Sequence, residues 1–430
     1  MGGMFETLRN AWKIPDLRRK ILFTVAMLIV YRIGSHIPVP FLDASEFKKL
    51  VESGGSLFGM FDIVTGGAFK LATIFAMSIT PYINSSIIMQ LLTVAIPKLE
   101  QLQKEGEEGR KIIAQYVRYG TVVLGFIQAV GLFIGLGGAV VGGRNWLTFI
   151  TITLTFTAGT AFLMWLGEQI TEYGIGNGIS LIIFAGIVSS GPAAAMTLMN
   201  YYTGGQLGEG VVGILAIIAI VLVFIAVVSL VIWVNQAERR IPVQYAKRVV
   251  GRKVYGGQST HIPIKVNLAG VIPIIFAMSI TMFPSQMVTF FAPNSTNWFV
   301  LWLKNSTDSI WYSLIYALLI MFFTFFYTVI QFNPIEIANN MKKNGGFIPG
   351  IRPGKPTSDY ISKVLNRITW FGGLFLALIT IFPVILGAIF NISGLFFGGT
   401  ALLILVGVAL DTVKQIESQM LMRHYKGFLE

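Results

Sequence analysis

The sequence predicts an all-α, polytopic membrane protein with ten transmembrane helices, arranged as two inverted five-helix halves around a central pore. Three observations lead to this fold class. Apolar residues make up 54% of the chain and charged residues only 12%, which is too little charge to cover a soluble protein of 430 residues. The apolar residues occur in blocks of about 18 to 25, the length that a helix needs to cross a bilayer. Finally, the basic residues are distributed asymmetrically along the chain.

The apolar blocks define the predicted membrane spans. They lie at about 20–37, 72–95, 113–136, 147–168, 179–199, 211–234, 268–291, 309–332, 368–390 and 396–416. Pro81, Gly178 and Pro383 interrupt or adjoin the second, fifth and ninth spans. Proline is tolerated in a membrane helix that packs against neighbours, so these three segments remain predicted spans.

The positions of the basic residues predict the orientation of the chain. The chain has 32 Lys and Arg residues, and most of them lie in the two tails and the even-numbered loops. The odd-numbered loops hold Lys48, Lys49, Lys70, Arg144 and Lys304. Because cytoplasmic loops are enriched in Lys and Arg, both termini are expected in the cytoplasm. Division near Gly204 gives halves 1–203 and 204–430 of opposite topology, an arrangement that places a pathway between the halves of transport proteins.

A short apolar segment at about 57–67 fits neither a loop nor a span. It is flanked by the glycine pairs Gly54-Gly55 and Gly66-Gly67 and is too short to cross a bilayer. One interpretation is a re-entrant or interfacial helix that packs against the bundle. The other is a mobile stopper in the mouth of a channel, because irregular backbone at membrane depth must line a cavity.

Two predicted cytoplasmic loops, at about 235–267 and 333–367, are long and basic. They could be topology signals that lie against anionic lipid. Orientation could be fixed with shorter loops, however, and long loops in compact proteins are often functional. A docking surface for a phosphate-rich partner such as ribosomal RNA is therefore a second interpretation.

The sequence lacks the motifs of the enzyme classes that a membrane protein of this size could belong to. It contains no H-E-x-x-H, G-x-S-x-G or Walker A sequence and no cysteine, and its three histidines fall in different loops or tails. An ion-coupled secondary transporter with inverted repeats remains the alternative. Such carriers usually need ionisable groups within their spans, whereas the predicted span interiors here carry few.

Several motifs resemble the SecY family of protein-translocation channels, in the family's order and over essentially the whole chain. The motifs are QYVRYG at 115–120, GEQITE at 167–172, GIGNGIS at 174–180, YAKR at 245–248, QSTH at 258–261, FIPGIRPG at 347–354 and FGGT at 397–400. The resemblance implies a channel without catalytic residues, cofactors or metal ions. It would carry unfolded secretory polypeptides across the bacterial cytoplasmic membrane and insert membrane proteins into it.

The resemblance also implies roles for particular residues. The pore ring would be Ile79, Ile83, Ile179, Ile183, Ile275 and Ile404. The plug would include Leu57, Phe58, Met60, Phe61, Ile63 and Val64, with Val64 replacing a bulkier residue of many relatives. The lateral gate would include Asn84, Gln90 and Phe283. The docking surface would include Arg239, Arg240, Lys247, Arg248, Arg252, Lys253 and Arg352.

The partners implied by the same resemblance are proteins, RNA and lipid. They are the membrane subunits SecE and SecG, the SecA motor, the ribosome with its RNA, signal sequences, unfolded preproteins and anionic lipids. Residue spacing agrees with the ring, because Ile79 and Ile83, like Ile179 and Ile183, are four apart and share a helix face. Isoleucine is nevertheless common in spans, and such residues also face lipid or a neighbouring helix.

Overall fold

The structure is a computed structural model. It describes residues 4–53, 59, 61–62, 65–204, 211–245, 248–250, 253–255, 259–291, 297, 302, 310–390 and 399–426. Most of these residues are helical, which confirms the predicted helical fold class.

Among the described residues, the N-terminal part of the chain forms nine helices and one 3-10 turn. They are α1 (Met4–Lys13), α2 (Pro15–Gly34), α3 (Ala44–Ser53), α4 (Thr80–Ala95), α5 (Pro97–Lys104), α6 (Glu107–Gly135), the 3-10 turn Gly137–Ala139, α7 (Trp146–Tyr173), α8 (Gly178–Ser189) and α9 (Gly191–Thr203).

The described residues of the C-terminal part add six helices and five strands. They are α10 (Val211–Gln236), β1 (Glu238–Tyr245), β2 (Arg248–Val250), β3 (Lys253–Tyr255), β4 (Ser259–Lys265), α11 (Ile272–Phe291), α12 (Ile310–Gln331), α13 (Pro334–Lys343), β5 (Gly346–Phe347), α14 (Lys355–Phe390) and α15 (Gly399–Lys426).

Eight helical segments within the described residues are long and apolar enough to cross a membrane, compared with the ten spans predicted. The first predicted span corresponds to α2, which carries Arg18, Arg19, Lys20 and Arg32 and is therefore more polar than the others. The second corresponds to α4, which has only 16 residues. The charges of α2 and the short length of α4 therefore explain why these two predicted spans are not among the eight.

The helix of the second predicted span begins later than expected. The prediction started this span at residue 72, whereas α4 begins at Thr80 and residues 65–79 form successive turns. Pro81 lies in the first turn of α4, where its missing N–H costs nothing. Ala72 and Ser78 adopt positive φ angles of 48° and 51°, which a right-handed helix does not allow. The preceding segment is therefore a folded loop.

The two long basic loops form a small subdomain with a β-sheet. Strands β4, β1 and β5 form one sheet, in which β1 pairs antiparallel with both neighbours. Along β1, Ile241 and Val243 point inward while the residues between and before them are exposed. Together with Ile264, Met341 and residues of α14, they form a separate hydrophobic cluster. Because β5 comes from the second loop, the sheet joins both loops in one unit.

The main hydrophobic core lies among the long helices. α4 and α6 pack against α11, and α8 packs against α15, so helices from before and after Gly204 meet in the core. α12 packs against α11 and α14 on the C-terminal side.

Candidate functional site

The six predicted ring isoleucines lie in one hydrophobic cluster. Five of them are buried, with exposed fractions from 0% at Ile79 to 8% at Ile275, and Ile179 is partly buried against the same cluster. Ile83 lies on α4, and Ile79 directly precedes that helix. The other four lie on three further helices, α8, α11 and α15. These are the helices that join the two parts of the chain, through the α4–α11 and α8–α15 contacts.

The chemistry of this cluster suits a non-selective seal. Branched apolar side chains form no hydrogen bonds to a passing chain, and a narrow constriction that they line excludes water. Burial of Ile83, Ile183 and Ile404 below 6% means that their side chains are packed and not exposed to a wide aqueous channel.

The predicted plug segment contacts the core through Phe61. Its side chain is 5% exposed, and its ring meets that of Phe69 edge to face with centroids 4.9 Å apart. Phe69 in turn meets Phe47 of α3 at 5.3 Å. Five of the predicted plug residues, Leu57, Phe58, Met60, Ile63 and Val64, lie outside the described residues.

The turn that follows the plug segment is closed by hydrogen bonds. The Asp62 carboxylate accepts a bond from the Lys70 N–H at 2.8 Å, and the Asp62 carbonyl accepts one from the Gly67 N–H at 2.9 Å. Burial raises the pKa of the Asp62 carboxyl, against the smaller effects of the Lys70 N–H bond and the Lys70 charge, which lower it. Gly66 and Gly67 take positive φ angles of 67° and 85°, a conformation that favours glycine.

One predicted gate residue makes a hydrogen bond between helices from the two parts of the chain. The Tyr327 hydroxyl of α12 donates to Gln90 Oε1 of α4. Gln90 Nε2 lies 3.4 Å from the Ser86 hydroxyl one turn earlier. The Tyr327 ring also packs edge to face against Phe276 of α11, with centroids 5.0 Å apart.

The other two predicted gate residues lie on the helices that meet here. Asn84 of α4 is buried, and its amide Nδ2 has no hydrogen-bond partner among the described residues. Phe283 is half-buried on α11, directly before Pro284 within that helix. Gln128 of α6 is a further buried amide whose Nε2 is unpartnered within the described part of the chain. Buried amides without partners are costly in a packed protein, which marks this region as unusual.

The predicted docking residues lie on or beside the small subdomain. Arg239 and Arg240 are exposed at the start of β1, and Arg240 makes an ion pair with Glu238 at 2.7 Å. Arg248 and Lys253 lie on the antiparallel pair β2–β3, in register opposite Tyr255 and Val250 respectively. Lys247 and Arg252 lie outside the described residues.

Arg352 is presented by a rigid turn. Gly350 and Gly354, on either side, have φ angles of 81° and 102°, which only glycine adopts readily. The buried Thr357 hydroxyl donates to the Arg352 carbonyl at 2.9 Å, which fixes the backbone while the Arg352 side chain stays exposed. The guanidinium is therefore free of any role in the hydrophobic cluster beneath it.

Comparison with known proteins identifies the family. The family model described as SecY matches residues 73–413. The protein translocase subunit SecY of Streptomyces galbus is 48% identical, over 99% of this chain and 100% of its own length. That of Bacillus subtilis is 45% identical over the same shares of the two chains. The chain belongs to the SecY family.

Solved structures share the fold. The solved structure of a protein conducting channel matches with a TM-score of 0.65 at 19% identity, over 94% of this chain and 92% of that one. Sec61 in the canine ribosome-channel complex matches with a TM-score of 0.63 at 18% identity, over the same shares. The ordering of helices in this chain is thus that of SecY-type channels.

Several residues at the site were not found from the SecY-type motifs. Tyr327 and Phe276 lie in aromatic-rich stretches that carry no distinguishing pattern, so only the structure reveals their contacts with α4 and with each other. Arg32 lies inside the first predicted span, and a charged residue within a span is a general sign of function. That charge is the sequence signal for its hydrogen bond to the Gly66 carbonyl.

Proposed function

We propose that this SecY-family chain forms a protein-conducting channel that translocates unfolded secretory polypeptides and inserts membrane proteins. The chain has no catalytic role in this proposal, because channels of this family are not enzymes. The polypeptide would pass between the two inverted halves, 1–203 and 204–430, with the six isoleucines as the constriction.

The observation that carries the proposal is that all six isoleucines belong to, or pack against, the main hydrophobic core at the helices through which the two parts of the chain meet. They come from four helices that are distant in sequence, and the cluster lies where the N-terminal and C-terminal helices pack together. A ring of hydrogen-bonding or charged groups would hold water and would bind some segments in preference to others. Branched apolar groups avoid both effects.

The proposal also includes a plug and a lateral gate for the pore between the two halves. The segment 57–67 would stop the idle channel from the outer side, with Phe61 as one of its anchors. A gate between α4 and α12, where Gln90 and Tyr327 meet, would let signal sequences and membrane helices reach lipid.

The docking surface would be the small basic subdomain. Arg239 and Arg352 are exposed on units joined by the β1–β5 pairing, so a partner could contact both at once. We assign this surface to the SecA motor and to the ribosome, whose RNA phosphates attract Arg and Lys. One structural neighbour is a ribosome-channel complex, which supports the ribosome as a partner.

The remaining partners and the location follow from the family and the charge pattern. We expect SecE and SecG as membrane subunits, signal sequences and preproteins as substrates, and anionic lipid around the basic loops. The location would be the bacterial cytoplasmic membrane with both termini inside. An ion-coupled carrier is not favoured, because the curated relatives are translocase subunits and a structural neighbour is a protein-conducting channel.

A comparison of two triple variants tests the constriction. Replacing Ile183, Ile275 and Ile404 together by Ser should let the idle channel wet and conduct ions in planar bilayers, while secretion continues. The matched control replaces Ile182, Ile274 and Leu403 by Ser. These residues directly precede the ring residues on the same helices and are at least as buried, with exposed fractions of 0%, 0% and 1%.

The control residues point about 100° away around each helix, so they test burial without the proposed pore position. The control should lower the stability of the protein without producing a leak. Equal conductance from both triple variants would refute the ring, because the leak would then reflect damage to the core alone.

A further inference from the structure

The turn after the predicted plug segment is held by two consecutive residues of α2. The Tyr31 hydroxyl donates to the Thr65 carbonyl at 3.2 Å, and the Arg32 guanidinium donates to the Gly66 carbonyl at 3.0 Å. Tyr31 is fully packed, with 1% exposure, and its ring stacks on Phe75. Two adjacent carbonyls of the turn are therefore fixed from one helix.

A second helix, α8, also contacts the Gly66 carbonyl. The Ser189 hydroxyl lies 3.3 Å from the Gly66 carbonyl and 2.8 Å from the Gly186 carbonyl of its own helix. One hydroxyl has one hydrogen, so the shorter bond to Gly186 takes most of its donating capacity. Arg32 is then the principal donor to Gly66, and its charge makes the bond stronger than a neutral one.

The backbone at Gly66 fits tightly against α8. A side chain at this position would place its Cβ 2.4 Å from the Ser189 hydroxyl and 2.9 Å from the Gly186 Cα. A Cβ at the neighbouring Gly67 would meet nothing within 4 Å, although Gly67 also has a positive φ. The close approach is thus specific to the residue whose carbonyl Arg32 binds.

We infer that Arg32 is a positioning residue that latches the C-terminal hinge of the plug in its closed position. The guanidinium holds the Gly66 carbonyl against α2 and α8, and this bond must break before the turn at residues 65–67 can leave these two helices. The inference rests on the proposed function, because it requires the segment to act as a plug. The inference assigns to Arg32, which lies outside the plug, control over the ratio of open to closed plug.

Loss of one hydrogen bond to a charged donor should shift the ratio of open to closed plug about tenfold toward open. The test uses the purified full chain with the membrane subunits that accompany it, idle in planar bilayers. Arg32→Leu should raise the time-averaged ion conductance about tenfold. Arg32→Lys keeps a cationic donor and should restore much of the seal. Ser189→Ala should have a smaller effect, about twofold, because its bond to Gly66 is shared.

The matched control is Arg144→Leu. Arg144 is also an exposed arginine whose guanidinium donates to a backbone carbonyl, that of Ile134, at 2.8 Å. Its partner carbonyl belongs to α6 and not to the plug turn, so its loss should leave the conductance unchanged. A second pair compares Gly66→Ala with Gly67→Ala, which share the strain of a positive φ and differ in the clash with α8. Only Gly66→Ala should leak.

A chemical measurement reports the plug without relying on conductance. The chain contains no cysteine, so Gly59→Cys introduces a single thiol within the segment. A membrane-impermeant maleimide added from outside should label this thiol about tenfold faster when Arg32→Leu is also present. An unchanged labelling rate together with unchanged conductance overturns the latch.

Deletion of residues 57–64 separates failure of the latch from failure of the plug. A leak in the deletion variant combined with a tight Arg32→Leu channel overturns the latch and leaves the plug intact. A tight deletion variant overturns the plug itself, which the proposed function requires. Equal leaks from Arg32→Leu and Arg144→Leu would also overturn the latch, because any lost external arginine would then have the same effect.

Discussion

In the proposed lateral gate, the hydrogen bond between Gln90 and Tyr327 should contribute to the stability of the shut state. It joins α4 to α12, and thus one predicted half to the other. Tyr327→Phe removes only the hydroxyl, while the ring that packs 5.0 Å from Phe276 stays. We expect this variant to open its gate more readily and to export a reporter with a weakened signal sequence better than the parent does.

The size of the effect follows from the environment of the bond. A neutral hydrogen bond in a folded protein contributes about 1 kcal/mol net, and Gln90 is only partly buried, so water can satisfy its carbonyl when Tyr327 is lost. A change of about 1 kcal/mol corresponds to about a fivefold change in the ratio of open to closed gates. We therefore expect a gain of this order in the export of the weakened signal sequence.

A double-mutant cycle isolates the bond from other effects of either substitution. Gln90→Leu and Tyr327→Phe should each raise export, and the double variant should show little further increase. Tyr312→Phe is the control, because Tyr312 is a buried tyrosine of the same helix, α12, that is not assigned to the gate. Additive effects in the cycle, or an equal gain from Tyr312→Phe, would refute the reasoning.

Two further predictions concern the docking surface and the plug. Arg352→Glu should leave abundance and membrane insertion unchanged but reduce SecA-driven transport into vesicles at least tenfold, because an exposed guanidinium is replaced by a repelling carboxylate; a normal rate would contradict the assignment. Burial raises the pKa of the Asp62 carboxyl, so a plug that docks as we propose should bind a proton more tightly than a displaced one. Docking is then favoured fully below the ordinary aspartate pKa of about 3.9 and loses this contribution as pH rises through the raised value. Idle conductance should fall as the outer solution is acidified, and Asp62→Asn should remove that dependence, whereas an equal pH response in Asp62→Asn would contradict the prediction.

Local patterns were sufficient to predict most of the helices but not all of their ends. Long apolar runs such as Val211–Gln236 are helices because nothing else satisfies the backbone in a bilayer. Hydropathy does not distinguish a helix from an apolar folded loop, so residues 72–79 were assigned to a helix that starts only at Thr80. The sheet of the basic subdomain was missed because β5 has two residues and pairs with a strand about 100 positions earlier.

Some residues of the candidate site could likewise be predicted from sequence motifs, whereas the contacts between them could not. The isoleucines and the turn at Arg352 were named from motifs, and burial of the former agrees with a shared location. Contacts such as Tyr327 to Gln90 and Arg32 to Gly66 join residues 237 and 34 positions apart. No periodicity in the sequence encodes such pairs, because each depends on how helices are placed in three dimensions.

The two contacts that we propose close the idle channel are individually weak, and this suits a channel that its substrate must open. The gate bond contributes about 1 kcal/mol and the latch about as much or slightly more. The hydrophobic part of a signal sequence has about 7 to 15 apolar residues, and moving each from water into an apolar setting is favourable by about 1 kcal/mol or more. A signal sequence that enters between α4 and α12 can therefore outweigh both contacts, whereas a polar segment cannot. Strengthening either contact should make the channel more demanding of its signal sequences, and weakening either should make it more permissive.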